Sequence, residues 1–364
     1  MQEGLGGYRV STVIELAIGK GIPYTCEKMN SVPKKIAKYF LCTALAVSVF
    51  FCGQSFCAEK NLKKVSFATL WLPQAQFAGY YVALKKGFYK KYGLEVTIVN
   101  GAPDNPASSL LESGKVDFSV MWLSAAIEKR SQGIPLVNVC QFLQRSGLML
   151  VAKKSSGIYE IADMNDRKVG LWSAEFEIQP KAFFEKYGLN MKIVPQAYTV
   201  NLFLRGGVDV ASAMWYNEYH TIINSGYDPE ELTTFFFYEH GLNFPEDGIY
   251  ALERTLGKDP DIARAFVAAS MEGWIYAFEH VDEAVSIVME YMTAAHLPAT
   301  RVHQKWQLER MRDLAVTDGS YKGLGVLHKE DFDNTAKLLK ESGIIKNIPE
   351  FGSFRKECGT YDKN

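Results

Sequence analysis

Apolar residues in the first well-patterned stretch follow two different periods, and these periods predict two strands around a helix. Short, largely apolar runs at 66–70 and 95–99 are typical of buried strands. Between them, apolar and aromatic residues recur at helical spacing over 77–84, and Gly87 is a helix-stop signal. The stretch 65–99, VSFATLWLPQAQFAGYYVALKKGFYKKYGLEVTIV, is therefore predicted to be a βαβ unit.

Two segments from this part of the chain recur later, and they recur in the same order. FYKKYGLEVTIV at 88–99 is echoed by FFEKYGLNMKIV at 183–194. SGKVDFSVMW at 113–122 is echoed by RGGVDVASAMW at 205–215. Matched segments in matched order favour two α/β lobes of similar build over one long sheet.

The remaining pattern predicts that the chain leaves the first lobe, builds the second and returns. We predict lobe 1 at 63–150 and 248–364, with a helical C-terminal part, and lobe 2 at 151–247. The apolar faces of the C-terminal helices are expected to pack against lobe 1. Two crossings, near 150 and 248, would form a hinge.

The first 58 residues are predicted to be a leader. Lys34, Lys35 and Lys38 precede an apolar run at 39–52, which is shorter than the about 20 residues that span a bilayer. We interpret 29–58 as a secretory signal peptide, cleaved near Cys57 or Ala58, and 1–28 as an upstream mis-start. The mature protein is then expected in the periplasm. A lipid anchor at Cys57 stays open.

Composition narrows the functional classes. The net charge of −1 gives no argument for binding nucleic acid or an anionic membrane. Of six cysteines, the mature chain would keep Cys140 and Cys358, either paired or free. No CxxC, HExxH, G-x-S-x-G or glycine-rich phosphate loop is found, so we expect no metal site, no cofactor and no catalytic arrangement.

Four of the six tryptophans directly follow predicted strands, where an α/β sheet presents its ligand crevice. The polar residues in the same loops are mainly amides and acids, and Arg145 is the one cation near a strand end. This mixture favours a flat, neutral or cationic ligand rich in N–H donors over an anion. The expected ligand-binding residues are Trp71, Gln74, Gln76, Phe77, Tyr80, Trp122, Ser124, Trp172, Trp215, Tyr216, Asn217, Glu218 and Asp247.

The most specific motifs are the opening unit, WYNEYH at 215–220 and NFPEDGIY at 243–250. In these the chain resembles the periplasmic solute-binding proteins that bind alkanesulfonates and thiamine-pyrimidine precursors, the superfamily that also holds the yeast thiamine-pyrimidine synthase. The resemblance covers about 65–345 and implies a type II periplasmic-binding-protein fold. Phe77 stands where pyrimidine-related members have a histidine, and the cysteine-rich motif of the synthase is absent. Both departures argue against enzyme activity, and the first weakens the case for a pyrimidine ligand.

We therefore predict a monomeric, non-enzymatic solute-binding protein that captures a small aromatic or heterocyclic ligand, thiamine-pyrimidine-like compounds among them. Its partner would be an ABC permease in the inner membrane. Two alternatives stay open, a thiamine-pyrimidine-synthase-like enzyme and a ligand-sensing subunit of a membrane sensor. The sequence does not identify the ligand.

Overall fold

The computed structural model describes residues 61–102, 104–298 and 300–358. The predicted leader and its cleavage site lie outside the described residues. Within these ranges, both cysteines, Cys140 and Cys358, are buried free thiols. No helix in the described ranges combines the length and the apolar character needed to cross a bilayer.

Ten strands of the described chain form two five-stranded sheets, with strand orders β2-β1-β3-β10-β4 and β7-β6-β8-β5-β9. Their bounds are β1 Lys63–Thr69, β2 Leu94–Asn100, β3 Phe118–Met121, β4 Leu136–Gln141, β5 Leu148–Lys153, β6 Lys168–Leu171, β7 Lys192–Pro195, β8 Val210–Met214, β9 Leu232–Phe236 and β10 Gly248–Leu252. The predicted two-lobed α/β fold is confirmed.

The two sheets have the same topology. In each, the first three positions are parallel strands, and the fourth strand lies antiparallel between its neighbours. That fourth strand is β10 in the first sheet and β5 in the second, so each lobe receives a central strand from the chain as it arrives from the other lobe. Two connections between the lobes follow from this exchange.

The repeated motifs have repeated structural roles. Asp117, from the first VD pair, accepts a hydrogen bond of 2.8 Å from the backbone N–H of Ser66 in β1. Asp209, from the second, accepts one of 2.9 Å from the backbone N–H of Lys168 in β6. Each aspartate therefore fixes the loop before one parallel strand against the start of its neighbour.

Thirteen helices of the described residues cover the sheets. Their bounds are α1 Ala78–Lys85, α2 Phe88–Lys91, α3 Ala107–Glu112, α4 Leu123–Ser131, α5 Ile178–Tyr187, α6 Asn201–Leu204, α7 Glu218–Asn224, α8 Glu253–Lys258, α9 Pro260–Glu279, α10 Val281–Ala294, α11 Arg301–Ala315, α12 Lys329–Glu341 and α13 Phe351–Phe354. Short 3₁₀ turns add Ala75–Phe77, Lys154–Ser156, Ile161–Met164, Ala174–Glu177, Pro229–Glu231 and Phe237–His240.

The long C-terminal helix α9 packs directly on α1. A Cβ on Gly273 of α9 would lie 2.2 Å from the carbonyl oxygen of Gly79 in α1, so this crossing requires glycine. The neighbouring Trp274 is fully buried and lies edge-on to Tyr80, with ring centroids 5.5 Å apart. The core of lobe 1 is therefore built around this helix pair.

Two features of lobe organisation differ from the sequence prediction. All of β5 pairs in the second sheet from Leu148 onwards, so the first crossing lies between Gln141 and Leu148, before the predicted position near 150. The edge strand β9 was not predicted, because its partly exposed sequence, LTTFF, carries no turn signal before it. A third difference concerns α11, which contacts both lobes and is described below.

Candidate functional site

A cavity of about 760 Å³ lies between the lobes, a size typical of small-molecule sites. The loops that follow β1, β3, β6 and β8 all contribute to its walls. These strands are parallel within each sheet, so their carboxyl ends point towards the same crevice. The cavity is therefore where the predicted ligand crevice should be.

Aromatic side chains from both lobes line the cavity. Trp122 of lobe 1 meets Phe176 of lobe 2 edge-on, with centroids 4.7 Å apart. At another part of the wall, Trp71 of lobe 1 lies 4.9 Å from Tyr198 of lobe 2. Trp172 completes the set, and its indole N–H donates to the carbonyl of Ala197 at 3.2 Å. A flat ligand would have aromatic surfaces on both sides.

Trp215, the fourth strand-end tryptophan, does not line the cavity. Its ring packs edge-on against Phe236, and the guanidinium of Arg310 lies 5.0 Å from the ring centroid. Its carbonyl oxygen accepts a hydrogen bond of 3.1 Å from Trp306 of α11. The strand-end rule missed this because the ring is covered by a helix that comes much later in the chain.

Three other predicted site residues lie behind the cavity wall. Phe77 and Tyr80 are buried in the core of lobe 1, where Tyr80 contacts Phe67 with centroids 4.6 Å apart. Ser124 is buried in the first turn of α4. None of the three is among the cavity-lining residues. The face of α1 that carries Phe77 and Tyr80 is needed for packing against the sheet and α9.

Lobe 1 presents a network of amide side chains to the cavity. Gln74 donates a hydrogen bond of 2.6 Å to Gln76, and both residues line the cavity. Behind them, Gln307 of α11 donates to Gln74 at 3.2 Å and accepts from the backbone N–H of Gln76. Gln304 accepts from the N–H of Ala75 at 2.7 Å. This network fixes the loop after β1 to α11.

Lobe 2 presents Tyr216, Asn217 and Glu218. Glu218 is the first residue of α7, and its Oε2 accepts a hydrogen bond of 2.9 Å from the backbone N–H of Met214. Its Oε1 accepts one of 2.8 Å from Asn217 Nδ2. Burial raises the pKa of Glu218 to about 7. A carboxyl with this pKa can accept a ligand N–H near neutral pH.

Two buried acids lie at the return crossing. Glu246 Oε1 accepts hydrogen bonds from the Ser146 hydroxyl at 2.7 Å and from the N–H groups of Gly147 and Leu148, which belong to the other crossing. Asp247 has a φ of 50°, unusual for a residue other than glycine. Burial raises the pKa of Glu246 to about 8 and that of Asp247 to about 7. Asp247 is buried behind its cavity-lining neighbours Gln76 and Trp122.

The charges on the cavity wall disfavour an anionic ligand. Lys129 is the one lysine or arginine among the described lining residues, and it is ion-paired with Glu112 at 2.5 Å. The predicted strand-end cation Arg145 does not line the cavity, and its guanidinium lies over the ring of Tyr238. The described wall therefore holds mostly hydrogen-bond acceptors and amides, without an unpaired cation for a sulfonate or phosphate.

The sequence prediction missed several lining residues. Gln196 directly follows β7 and would have been found by applying the strand-end rule to amides as well as tryptophans. Its side-chain Nε2 donates to the carbonyl of Ser212 at 2.8 Å. Phe176 and Tyr198 lie one turn or one loop beyond a strand end, where no local pattern marks them.

The family model described as NMT1/THI5 like matches residues 74–284 of this chain. The riboflavin-binding protein RibY of Chloroflexus aurantiacus is 22% identical over 298 residues, which cover 79% of this chain and 83% of RibY. The 4-amino-5-hydroxymethyl-2-methylpyrimidine phosphate synthase of Schizosaccharomyces pombe is 25% identical over 154 residues, 42% of each chain.

Among solved structures, the periplasmic aliphatic sulphonate binding protein SsuA from Escherichia coli is similar, with a TM-score of 0.64 and 14% sequence identity. The similarity covers 83% of this chain and 94% of SsuA. At this identity the likeness concerns the fold, which is the predicted type II periplasmic-binding-protein fold.

Proposed function

Because the chain belongs to the NMT1/THI5-like family, we propose that it is an extracytoplasmic solute-binding protein that delivers a flat heterocyclic ligand to an ABC permease. The observation that carries the proposal is the interlobe cavity, with aromatic rings on both lobes and acceptor groups between them. Two crossings tied together at Glu246 provide the hinge that such a protein uses to close on its ligand.

The cavity chemistry defines the ligand class. Trp71, Trp122 and Trp172 offer stacking surfaces, whereas Glu218 offers a carboxylate for ligand N–H groups. An uncharged or weakly basic heterocycle satisfies both, and an alkanesulfonate satisfies neither. The relative RibY is named for binding riboflavin, a fused heterocycle with an imide N–H, which makes riboflavin the first ligand to test. A thiamine-type hydroxymethylpyrimidine is the second.

Binding is favoured over catalysis by the composition of the wall. Histidine and cysteine, the usual bases and nucleophiles, are absent from the described lining residues. The raised carboxyl pKa values are explained by burial and need no catalytic role. The synthase relatives match only part of their own length.

Native mass spectrometry of the full chain, expressed with export and purified without denaturation, tests the proposal. We expect a non-covalent adduct whose mass corresponds to a flavin or another aromatic heterocycle and which is lost on unfolding. Recovery of a covalent product, or turnover of a bound heterocycle, would contradict a pure binding function. Recovery of an alkanesulfonate would contradict the ligand class.

A further inference from the structure

A hydrogen-bonded chain runs from the ligand cavity to the helix α11. Glu218 and Asn217 line the cavity, and Asn217 Nδ2 donates to Glu218 Oε1 at 2.8 Å. Asn217 Oδ1 lies 2.9 Å from Nε2 of His303, a residue of α11. His303 therefore contacts the ligand-facing pair without lining the cavity itself.

This chain joins the two lobes. Asn217 and His220 belong to the lobe 2 segment around α7, whereas α11 is anchored to the lobe 1 loop by Gln304 and Gln307. His303 Nδ1 lies 2.9 Å from His220 Nδ1, and the two rings are 5.1 Å apart. The cavity-facing carboxylate of one lobe is thus held through a helix attached to the other.

The hydrogen-bond geometry limits how many protons the histidine pair can hold. Asn217 Nδ2 donates to the Glu218 carboxylate, so Asn217 Oδ1 faces His303 and can only accept. His303 Nε2 must then carry its proton. In a neutral His303 ring, Nδ1 is an acceptor, and His220 Nδ1 donates to it. One proton lies between the two Nδ1 atoms, and a second would oppose two N–H groups.

We propose that His303 is a positioning residue that orients Asn217 and Glu218 across the lobe interface, so that acidification opens the lobes by placing a second charge on the His220–His303 pair. This inference rests on the proposed binding function, because the pair it positions is the acceptor for ligand N–H groups. Closure of the lobes completes the polar wall of the site and expels a proton.

The surroundings of the pair oppose positive charge. His220 stacks on Trp306, with centroids 4.8 Å apart, and the Arg310 guanidinium lies 4.6 Å from the centroid of the Trp306 ring. Arg310 is itself paired with Asp313 at 2.7 Å. From α7, Asn224 Nδ2 lies 3.1 Å from His220 Nδ1.

The remaining charged groups around the pair do not contact the two rings. On α11, Lys305 is paired with Asp282 of α10, and Arg301 donates to the carbonyl of the same aspartate. The carboxylate of Glu218 reaches the pair only through Asn217. Burial and the neighbouring His220 lower the pKa of His303 to about 4. Burial and Arg310 lower the pKa of His220.

Replacement of His303 separates hydrogen bonding from charge. His303→Gln keeps an N–H near the position of Nε2 and cannot become charged, whereas His303→Leu removes the donor. His328→Gln, on an exposed residue, is the matched control. At pH 7.5, riboflavin affinity of His303→Gln should stay within about threefold of the parent, and that of His303→Leu should fall about tenfold or more.

The pH profile is the decisive readout. A histidine that is free in the open lobes has a pKa of about 6.5, so closure of the parent should release one proton below that pH. Relative to His303→Gln, the parent should therefore lose about tenfold in riboflavin affinity per pH unit between about 6 and 4.5. The carboxylates of the site are common to both proteins and cancel in this ratio. Parallel profiles would overturn the proposal, as would equal weakening by His303→Gln and His303→Leu.

Small-angle scattering of the unliganded full chain decides the inference without any ligand. On going from pH 7.5 to 4.5, the radius of gyration of the parent and of His328→Gln should increase, and that of His303→Gln should stay constant. Equal radii for parent and His303→Gln at both pH values would overturn the inference. If riboflavin does not bind but the radii differ as stated, the ligand proposal fails and the interlobe switch stands.

Discussion

Gln76 donates a hydrogen bond of 2.8 Å to Asp247, which joins the loop after β1 to the return crossing between the lobes. The same glutamine accepts from Gln74 on the cavity wall, so the hinge and the ligand site share one residue. Asp247 Oδ1 has no hydrogen-bond partner among the described residues, although the Trp122 indole lies close enough to lower its pKa against the effect of burial. Movement at the crossing is therefore coupled directly to the shape of the cavity.

The buried acid Glu246 should make the empty protein less stable as the pH rises. Burial raises its pKa from the ordinary value of 4.5 to about 8, so between these values the folded chain binds more protons than the unfolded chain. Stability is then full at low pH and falls as the pH passes from about 4.5 to 8. Glu246→Gln keeps the acceptor for Ser146 and should reduce this fall by about 1–4 kcal/mol. Chemical denaturation at pH 5 and 8 checks it; an unchanged pH dependence would contradict the buried-acid assignment.

The cavity tryptophans should contribute to binding, whereas Trp215 should not. Trp122→Ala or Trp172→Ala removes a stacking surface and should weaken heterocycle binding by about tenfold or more. Trp215→Phe keeps the packing on Phe236 and the carbonyl that accepts from Trp306, and should change affinity by less than about twofold. Calorimetry of the three variants provides the comparison. Equal losses in all three would place Trp215 on the ligand after all.

Glu218 should act as a ligand acceptor without stabilising the empty protein. A hydrogen bond to an ionised acceptor contributes about 1.5–3 kcal/mol, against about 1 kcal/mol for a neutral one. Glu218→Gln should therefore reduce affinity by about tenfold at pH 8. Because burial disfavours its carboxylate, the same change should leave the melting temperature of the empty protein equal or higher at that pH. Lower stability with normal binding would assign Glu218 to the start of α7 instead.

The α1–α9 crossing gives a stability prediction that is independent of the ligand. Gly273→Ala places a methyl group 2.2 Å from the carbonyl oxygen of Gly79 and should destabilise the protein by about 1–3 kcal/mol. Gly257→Ala is the matched control, since it lies in a helix with no atom within 4 Å of its new Cβ. That control should stabilise by about 0.5–1 kcal/mol. Equal unfolding midpoints for the two variants would show that the helices do not cross at Gly273.

The sequence predicted the features that depend on local pattern. The echo of 88–99 at 183–194 predicted two lobes, and both segments end in edge strands at equivalent positions, β2 and β7. Trp71, Trp122 and Trp172 were placed at the crevice because parallel strand ends converge there. These successes rest on periodicity and topology, which neighbouring residues encode.

What the sequence could not predict depends on which distant segment covers a residue. Trp215 follows a strand as Trp172 does, but α11 returns to cover it. The pairing of His220 with His303 joins residues in different lobes, and neither residue carries a local signal for it. The helix α11 has apolar and amide positions that were expected to serve lobe 1 alone, and its contacts with both lobes appear only in the assembled fold.

Calorimetric titration of the exported chain with riboflavin, hydroxymethylpyrimidine and a short alkanesulfonate tests the central claim most directly. A flat, N–H-bearing heterocycle should bind at micromolar concentration or tighter, with a decrease in the radius of gyration measured on the same sample. The alkanesulfonate should not bind, because the described cavity wall lacks an unpaired cation. Tight binding of the sulfonate, together with no binding of either heterocycle, would contradict the account.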